Sequence, residues 1–260
     1  MCNVICVANL QEKTGRTSTA VNFAASLALL EKKVLLVDCD ANGQASFCLG
    51  ILSHAYDFGL DDLLSGIVGG RAVVRQTAMD FLDIIPPGHS LNEMEKKLAQ
   101  NPDKEKVLSI VLSTFKERYD YIIFDTPGQK NLMTISALVS CDSLMIPALL
   151  GPRTLDGLYS LLGFASDVRK KIDEPLKIAG ILFMDCNSLQ DVDNYYQKNE
   201  HKDFKHAICS VTIPGKPLDP EVDGATAPSC LVDIKSDYSE AFLDLSFEFL
   251  YRETRNERGK

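Results

Sequence analysis

Short apolar runs alternate with longer amphipathic segments along the whole chain. Uninterrupted apolar runs, such as Val34–Val37 and Tyr121–Phe124, are typical of strands that are buried on both faces of a parallel sheet. Apolar residues that recur every three to four positions predict helices. The pattern predicts strands near residues 3–8, 33–37, 81–85, 120–124, 142–147, 177–183 and 207–212, and helices near 16–31, 90–99, 103–118, 130–139, 154–171, 188–199 and 236–252.

This alternation predicts an α/β fold with a doubly wound, mostly parallel sheet and helices on both faces. Because no linker or internal repeat interrupts the pattern, we expect a single domain over residues 1–260. The last helix, predicted at 236–252, has an apolar face that can dock on the domain, and residues 253–260 are expected to form a solvated tail. The irregular stretch 214–228 is interpreted as a surface loop.

Composition narrows the classes of protein to consider. The chain is 45% hydrophobic and 24% charged, as is ordinary for globular proteins, and its sequence shows neither a membrane-spanning run nor a signal peptide. We therefore expect a cytoplasmic protein without membrane attachment. The eight scattered cysteines form no Cys-x-x-Cys pair, which favours buried thiols over a zinc or redox site. A net charge of −9 argues against strong non-specific binding of nucleic acid.

The most informative segment is residues 8–19, between the apolar run Val4–Val7 and a long helical pattern. A strand, a short loop and a helix that starts at Gly15-Arg16-Thr17 are the layout of a phosphate-binding P-loop. In such a loop, backbone N–H groups and the N-terminus of the helix face an anion. The usual motif ends in Gly-Lys-Thr, so this chain has arginine at the place of the lysine.

Two further polar segments follow predicted strands. One is Asp38–Ser46, and the other begins at Asp125 and runs through Gly128. An acidic residue that ends a strand beside a P-loop is the expected partner of Mg²⁺, which predicts this role for Asp125, with the Thr17 hydroxyl as a second ligand. Asp40 is predicted to lie near the terminal phosphate and to orient an attacking water.

These three segments resemble the ParA/MinD family of deviant P-loop ATPases, and more closely the ParA (Soj-type) partition proteins. That family carries Ala-Asn-Gln-Lys-Gly-Gly-Val-Gly-Lys-Thr-Thr-Thr-Ala at the loop, Leu-Leu-Val-Asp-Leu-Asp-Pro-Gln-Gly-Asn-Ala-Ser at the second segment and Tyr-Asp-Tyr-Ile-Ile-Ile-Asp-Thr-Pro-Pro at the third. The corresponding stretches here are residues 8–20, 35–46 and 119–128. The likeness continues in order through 154–158, 180–184 and 213–214 to the final helix, so it covers nearly the whole chain.

The resemblance implies ATP and Mg²⁺ as cofactors. It also implies a homodimer that holds nucleotide between protomers, changes its state on hydrolysis and responds to a small, ParB-like partner protein. Transferred position by position, it implies catalytic roles at Asp40 and at Gln11, which matches the signature lysine of the family. The implied nucleotide-binding residues are Gly15, Arg16, Thr17, Ser18, Asp38 and Pro214, and the implied metal ligands are Thr17 and Asp125.

Several positions depart from the family pattern. Gln11 replaces the signature lysine, Glu12 and Lys13 replace two loop glycines, and Arg16 replaces the lysine that grips phosphate. Glycines let such a loop approach phosphate and adopt positive φ, and the Glu12 carboxylate would oppose a polyphosphate. An arginine fork is larger than an ammonium. Loss of one well-placed charge at a transition state costs about 3 kcal/mol, or roughly a hundredfold in rate.

Two hypotheses therefore stay open. The first is a partition or positioning ATPase, a nucleotide-switched dimer with impaired or altered ATP use. The second is a pseudo-ATPase that keeps the shape of the family and binds a protein partner. In the second case the loop is an ordinary strand–helix turn, and Asp38, Asp40 and Asp125 act as caps.

The C-terminal part bears on DNA and on membranes. After Ile213-Pro214, residues 215–223 lack the arginines with which the family binds DNA, so DNA binding is in doubt. The final helix could be a MinD-like membrane anchor, but its mixed charges favour a docked helix.

Overall fold

A computed structural model describes residues 2–170, 172, 176–198, 204–215 and 227–258 of the protein. In these ranges, eight strands form one sheet in the order β3-β4-β2-β5-β1-β6-β7-β8. All seven predicted strands are present, and the added β3 is a short antiparallel edge strand. The strands are β1 Asn3–Val7, β2 Val34–Asp38, β3 Arg75–Gln76, β4 Leu82–Ile85, β5 Tyr121–Asp125, β6 Ser143–Leu149, β7 Lys177–Met184 and β8 Ile208–Ile213.

The helices lie on both faces of this sheet, which confirms the doubly wound α/β class. They are α1 Arg16–Leu29, α2 Gln44–Cys48, α3 Leu60–Ser65, α4 Gly70–Val73, α5 Leu91–Leu98, α6 Val107–Leu112, α7 Leu132–Ser140, α8 Thr154–Arg169, α9 Leu189–Lys198, α10 Ser229–Val232 and α11 Asp237–Arg258. The sequence pattern predicts all of them except α2, α3, α4 and α10, which are too short to show a helical period.

Two predicted helices have different boundaries. The helix predicted over 103–118 is a short α6 flanked by single 3₁₀ turns at Lys104–Lys106 and Ser113–Phe115. Its C-terminal end coincides with Ser113, whose hydroxyl donates to the carbonyl of Ile110 at 2.8 Å, a local bond that competes with helix continuation.

The C-terminal helix runs to Arg258, so residues 253–258, which the sequence pattern places in a tail beyond the helix, are helical. Arg252 and Glu253, where the predicted helix ends, contact the sheet. The Tyr121 hydroxyl donates to Glu253 Oε2 at 2.6 Å, and Arg252 donates to the Ile208 carbonyl at 3.0 Å.

Alternate strand residues supply the two halves of the core. On β1, Val4 and Cys6 face the layer formed by α3 to α9, whereas Ile5 and Val7 face α1, α2 and α11. Docking of α11 includes an edge-to-face contact between Phe23 and Phe249, with ring centroids 5.3 Å apart. Six of the eight cysteines are buried free thiols, as predicted.

Among the described residues, no helix is both long and apolar enough to cross a membrane. Most of the stretch predicted as a surface loop, residues 216–226, lies outside the described ranges, as do residues 171, 199 and 259–260. The segment whose arginines are replaced, 215–223, is thus described only at Gly215.

The strand order places the three polar segments side by side. β5 lies between β1 and β2, and Asp125 pairs in register with both Val7 and Asp38. Because the three strands are parallel, the segments that follow them meet at one edge of the sheet.

Candidate functional site

The loop between β1 and α1 keeps an anion-binding backbone. Gly15 and Lys13 both adopt left-handed φ, at +84° and +58°, and the first helical bond runs from the amide of Thr19 to the carbonyl of Gly15 at 2.8 Å. The amides of Arg16 and Thr17 lie at the start of the helix, before this first bond, and the helix dipole favours an anion beside them. Lys13 adopts a left-handed φ that glycine takes without strain, at a cost of about 1 kcal/mol for a lysine.

Asn9 anchors this loop to the sheet. Its buried side chain donates to the Pro147 carbonyl of β6 at 2.7 Å and accepts from the Gln11 amide at 2.9 Å. Asn9 has no predicted role, although a polar residue that follows a buried strand so closely is a usable signal in the sequence.

Arg16 links the loop to the segment after β5. Its Nη1 donates to the carbonyls of Asn9 at 3.0 Å and Gln11 at 2.6 Å, and its Nε donates to the carbonyl of Thr126 at 3.2 Å. The residue at the place of the phosphate-gripping lysine therefore holds backbone carbonyls of two segments together.

Gln11 turns toward its own chain. Its Nε2 donates to the Arg153 carbonyl at 2.8 Å, and a Cβ placed on Gly157 would lie 2.4 Å from its Cδ. The side chain is thus packed against the first turn of α8. Its catalytic role stays a prediction.

Thr17 and Asp125 form the pair that the sequence predicts as metal ligands. The Thr17 hydroxyl donates to Asp125 Oδ2 at 2.8 Å, and Asp125 is fully buried. Its Oδ1 is also buried and has no hydrogen-bond partner among the described residues. Burial raises the pKa of Asp125 well above its ordinary value, and the nearby charge of Asp38 raises it further.

These two side chains fit Mg²⁺. A buried carboxylate oxygen that lacks a donor, next to a hydroxyl, offers the hard oxygen ligands that Mg²⁺ prefers. A cation there would also relieve the repulsion between Asp125 and Asp38, which are neighbours across β2 and β5.

Asp38 stabilises the turn after β2 through hydrogen bonds. Its Oδ2 accepts from the amide and the hydroxyl of Ser46 at 2.9 and 2.8 Å, and its Oδ1 accepts from the Asp40 amide at 3.3 Å. Burial is the main reason why the pKa of Asp38 is raised to about 7, with the charge of Asp40 adding to the rise.

Asp40 lies at the rim of a polar cavity of about 310 Å³ that also includes Glu95, Gln129 and Asn131. Its Oδ1 accepts from the Asn42 amide at 3.0 Å. Glu95 accepts from the Met133 amide at 3.0 Å, and burial raises its pKa. No sequence pattern indicates a role for Glu95, which lies on α5, or for Asn131, which caps the N-terminus of α7, because the approach of both to Asp40 depends on the fold.

Ser18 and Pro214, the remaining predicted nucleotide-binding residues, lie in different parts of the fold. Ser18 is buried in the first turn of α1. Pro214 follows β8, which is separated from β1 by β6 and β7. At about 4.8 Å between strands, this places Pro214 about 14 Å along the sheet edge from the loop. Its contact with nucleotide stays a prediction.

A mostly parallel sheet with an anion-binding turn after its central strand, flanked by buried aspartates, defines the P-loop class of nucleotide-binding proteins. A family model described as an AAA domain matches residues 2–178. The chromosome partitioning protein ParA of Myxococcus xanthus is 31% identical over 251 residues, 96% of this chain and 89% of that protein. The sporulation initiation inhibitor protein Soj of Bacillus subtilis is 32% identical over 248 residues, 95% of this chain and 98% of that protein. The chain belongs to the ParA/MinD family of P-loop ATPases.

Solved structures agree on the fold. Cobyrinic acid a,c-diamide synthase from Mycobacterium smegmatis, with bound ADP and magnesium, superimposes with a TM-score of 0.81 at 21% identity and covers 98% of this chain and 96% of its own. The septum site-determining protein MinD of Pyrococcus horikoshii, complexed with Mg-ADP, gives 0.75 at 22% identity and 95% of each chain. At these identities the likeness shows the fold alone.

Proposed function

We propose that the protein is a partition or positioning protein that binds Mg-ATP, forms a nucleotide-dependent homodimer and uses ATP slowly. The observation that carries this proposal is the Thr17–Asp125 pair, with its unpartnered buried oxygen, beside a turn that keeps the anion-binding shape. A chain that had lost nucleotide binding would not need to keep a costly buried carboxylate next to this turn.

Each residue has a role in this proposal. The amides that follow Gly15 bind phosphate oxygens, and Thr17 and Asp125 hold Mg²⁺, which neutralises charge on the phosphates. Asp38 fixes the turn that carries Asp40, and Asp40 orients the attacking water. Arg16 contributes positive charge once its bonds to the loop carbonyls are exchanged for bonds to phosphate.

The slow use of ATP follows from the departures at the loop. Binding of phosphate by Arg16 requires three existing hydrogen bonds to break. The exposed Glu12 adds a negative charge at the loop, and Gln11, held on its own α8, supplies no cation to a second protomer.

A second candidate is an interaction module that does not hydrolyse ATP. It is favoured by the same bonds of Arg16 and Gln11, which give both side chains partners within the chain. In this case the fold and the shape of the loop serve to bind a protein partner. For either candidate, we propose a cytoplasmic protein with a ParB-like or other small partner protein, and the acidic net charge of −9 argues against strong non-specific binding of DNA.

Sedimentation velocity with and without Mg-ATP tests the proposal. We expect Mg-ATP to convert the wild-type chain to a dimer, and Thr17→Val to abolish this conversion because it removes the hydroxyl that Asp125 accepts from. Thr254→Val, on the exposed side of α11, is the matched control and should dimerise normally. A wild-type chain that stays monomeric at millimolar ATP would leave the interaction module as the function.

A further inference from the structure

Gly128 lies directly against the guanidinium of Arg16. A Cβ placed on Gly128 would be 2.5 Å from Nη2, 2.9 Å from Cζ and 3.0 Å from Nη1 of Arg16. The φ of Gly128 is not left-handed, so the backbone itself would accept a side chain. Glycine is therefore needed at this position for space, and the atoms that require the space belong to Arg16.

The guanidinium has little freedom to move away. The end of an arginine side chain normally swings aside at small cost, but this one donates to three backbone carbonyls of two segments. Moving it would leave partly buried carbonyls of Asn9, Gln11 and Thr126 without this donor, which is unfavourable. Arg16 and Gly128 consequently depend on each other.

We infer that Arg16 and Gly128 form a latch. Because Gly128 has no side chain, it leaves space for the guanidinium of Arg16. The hydrogen bonds of this guanidinium connect the loop 8–15 to the segment 126–128. The two positions are departures from the family pattern, which has lysine and proline there. A proline Cβ at 128 would make the same close contact, so the departures compensate each other.

The latch connects the loop with the polar cavity. Pro127 and Gln129, on either side of Gly128, line that cavity together with Asp40. An anion that draws the guanidinium away from the Thr126 carbonyl therefore releases the segment that borders the cavity. This regulatory step rests on the proposed function for the identity of the anion, whereas the latch itself does not.

A double-mutant cycle on thermal unfolding without nucleotide tests the latch. Gly128→Ala should lower the melting temperature by roughly 3 °C or more relative to the control Gly69→Ala, a glycine of ordinary φ with open space around its Cα. In an Arg16→Lys background, Gly128→Ala should lower the melting temperature by no more than Gly69→Ala does. If Gly128→Ala lowers the melting temperature equally in the wild-type and the Arg16→Lys backgrounds, the latch is overturned.

Hydrogen exchange gives a second test, and its first comparison uses the wild-type chain alone. Inorganic pyrophosphate should speed exchange of a peptide covering residues 125–132 by roughly tenfold or more, and Arg16→Lys should show fast exchange without pyrophosphate. Unchanged or slower exchange in saturating pyrophosphate would overturn release of the segment. If ATP does not bind but the double-mutant coupling is present, the proposed function fails while the latch stands.

Discussion

Replacement of Asp38 by asparagine should stabilise the protein at alkaline pH. Asp38 is fully buried beside Asp125, and its pKa rises from the ordinary 3.8 to about 7, mainly through burial. At a pH between these two pKa values, a carboxyl group whose pKa is raised by folding binds more protons in the folded state than in the unfolded state. Stability is therefore lost as the pH rises from about 4 to about 7.

The size of the effect follows from the same values. A rise of the pKa from 3.8 to about 7 corresponds to about 4 kcal/mol of lost stability at pH 8. Asparagine removes this loss and keeps one acceptor oxygen for Ser46, but its NH₂ group cannot accept from the Asp40 amide, which costs about 1–2 kcal/mol. We expect a net gain of about 2 kcal/mol at pH 8 and a slight loss at pH 4.5.

Urea unfolding of the wild type and of Asp38→Asn from pH 4.5 to pH 8.5 measures this gain, and Asp167→Asn serves as the control. Asp167 is exposed and its pKa is lowered by Lys170, so its replacement should produce no gain at alkaline pH. The difference between wild type and Asp38→Asn should grow through the window from pH 4 to pH 7. Parallel pH profiles for the two proteins would refute the reasoning about the buried aspartates.

Three further predictions concern single contacts. Lys13→Gly should raise the free energy of unfolding by about 0.5–1 kcal/mol because it relieves a left-handed φ, and calorimetric melting checks this. Arg169→Met should lower the free energy of unfolding in urea by about 2–3 kcal/mol, without changing ATP affinity, because Nη1 of Arg169 donates to the carbonyls of Leu138, Val139 and Cys141 at the C-terminal end of α7. Tyr121→Phe removes the bond to Glu253 and should speed hydrogen exchange at residues 253–258, and unchanged exchange would contradict the account of the extended helix.

Most of the fold could be predicted because long apolar runs and long helical periods determine it. The strands Val34–Asp38 and Tyr121–Asp125 have the uninterrupted apolar sequences that are typical of a buried parallel sheet. By contrast, the two-residue β3 and the short helices α2 to α4 carry no measurable period, and their positions depend on contacts with the rest of the sheet.

The site was predictable where topology alone decides it. Parallel strands bring their carboxyl ends to one edge, so the proximity of Thr17 to Asp125 follows from their places after β1 and at the end of β5. The direction of the Arg16 side chain and the need for glycine at 128 could not be predicted. Both depend on how a side chain of one loop meets a backbone more than a hundred residues away.

The central claim is that this chain binds Mg-ATP through the Thr17–Asp125 pair. Calorimetric titration of the wild type with Mg-ATP tests it most directly, with Asp125→Ala as the binding-site variant and Asp167→Ala as an exposed acidic control on α8. The account predicts micromolar binding to the wild type and to Asp167→Ala, and its loss in Asp125→Ala. No heat of binding to the wild type at millimolar ATP, or equal binding by Asp125→Ala, would contradict it.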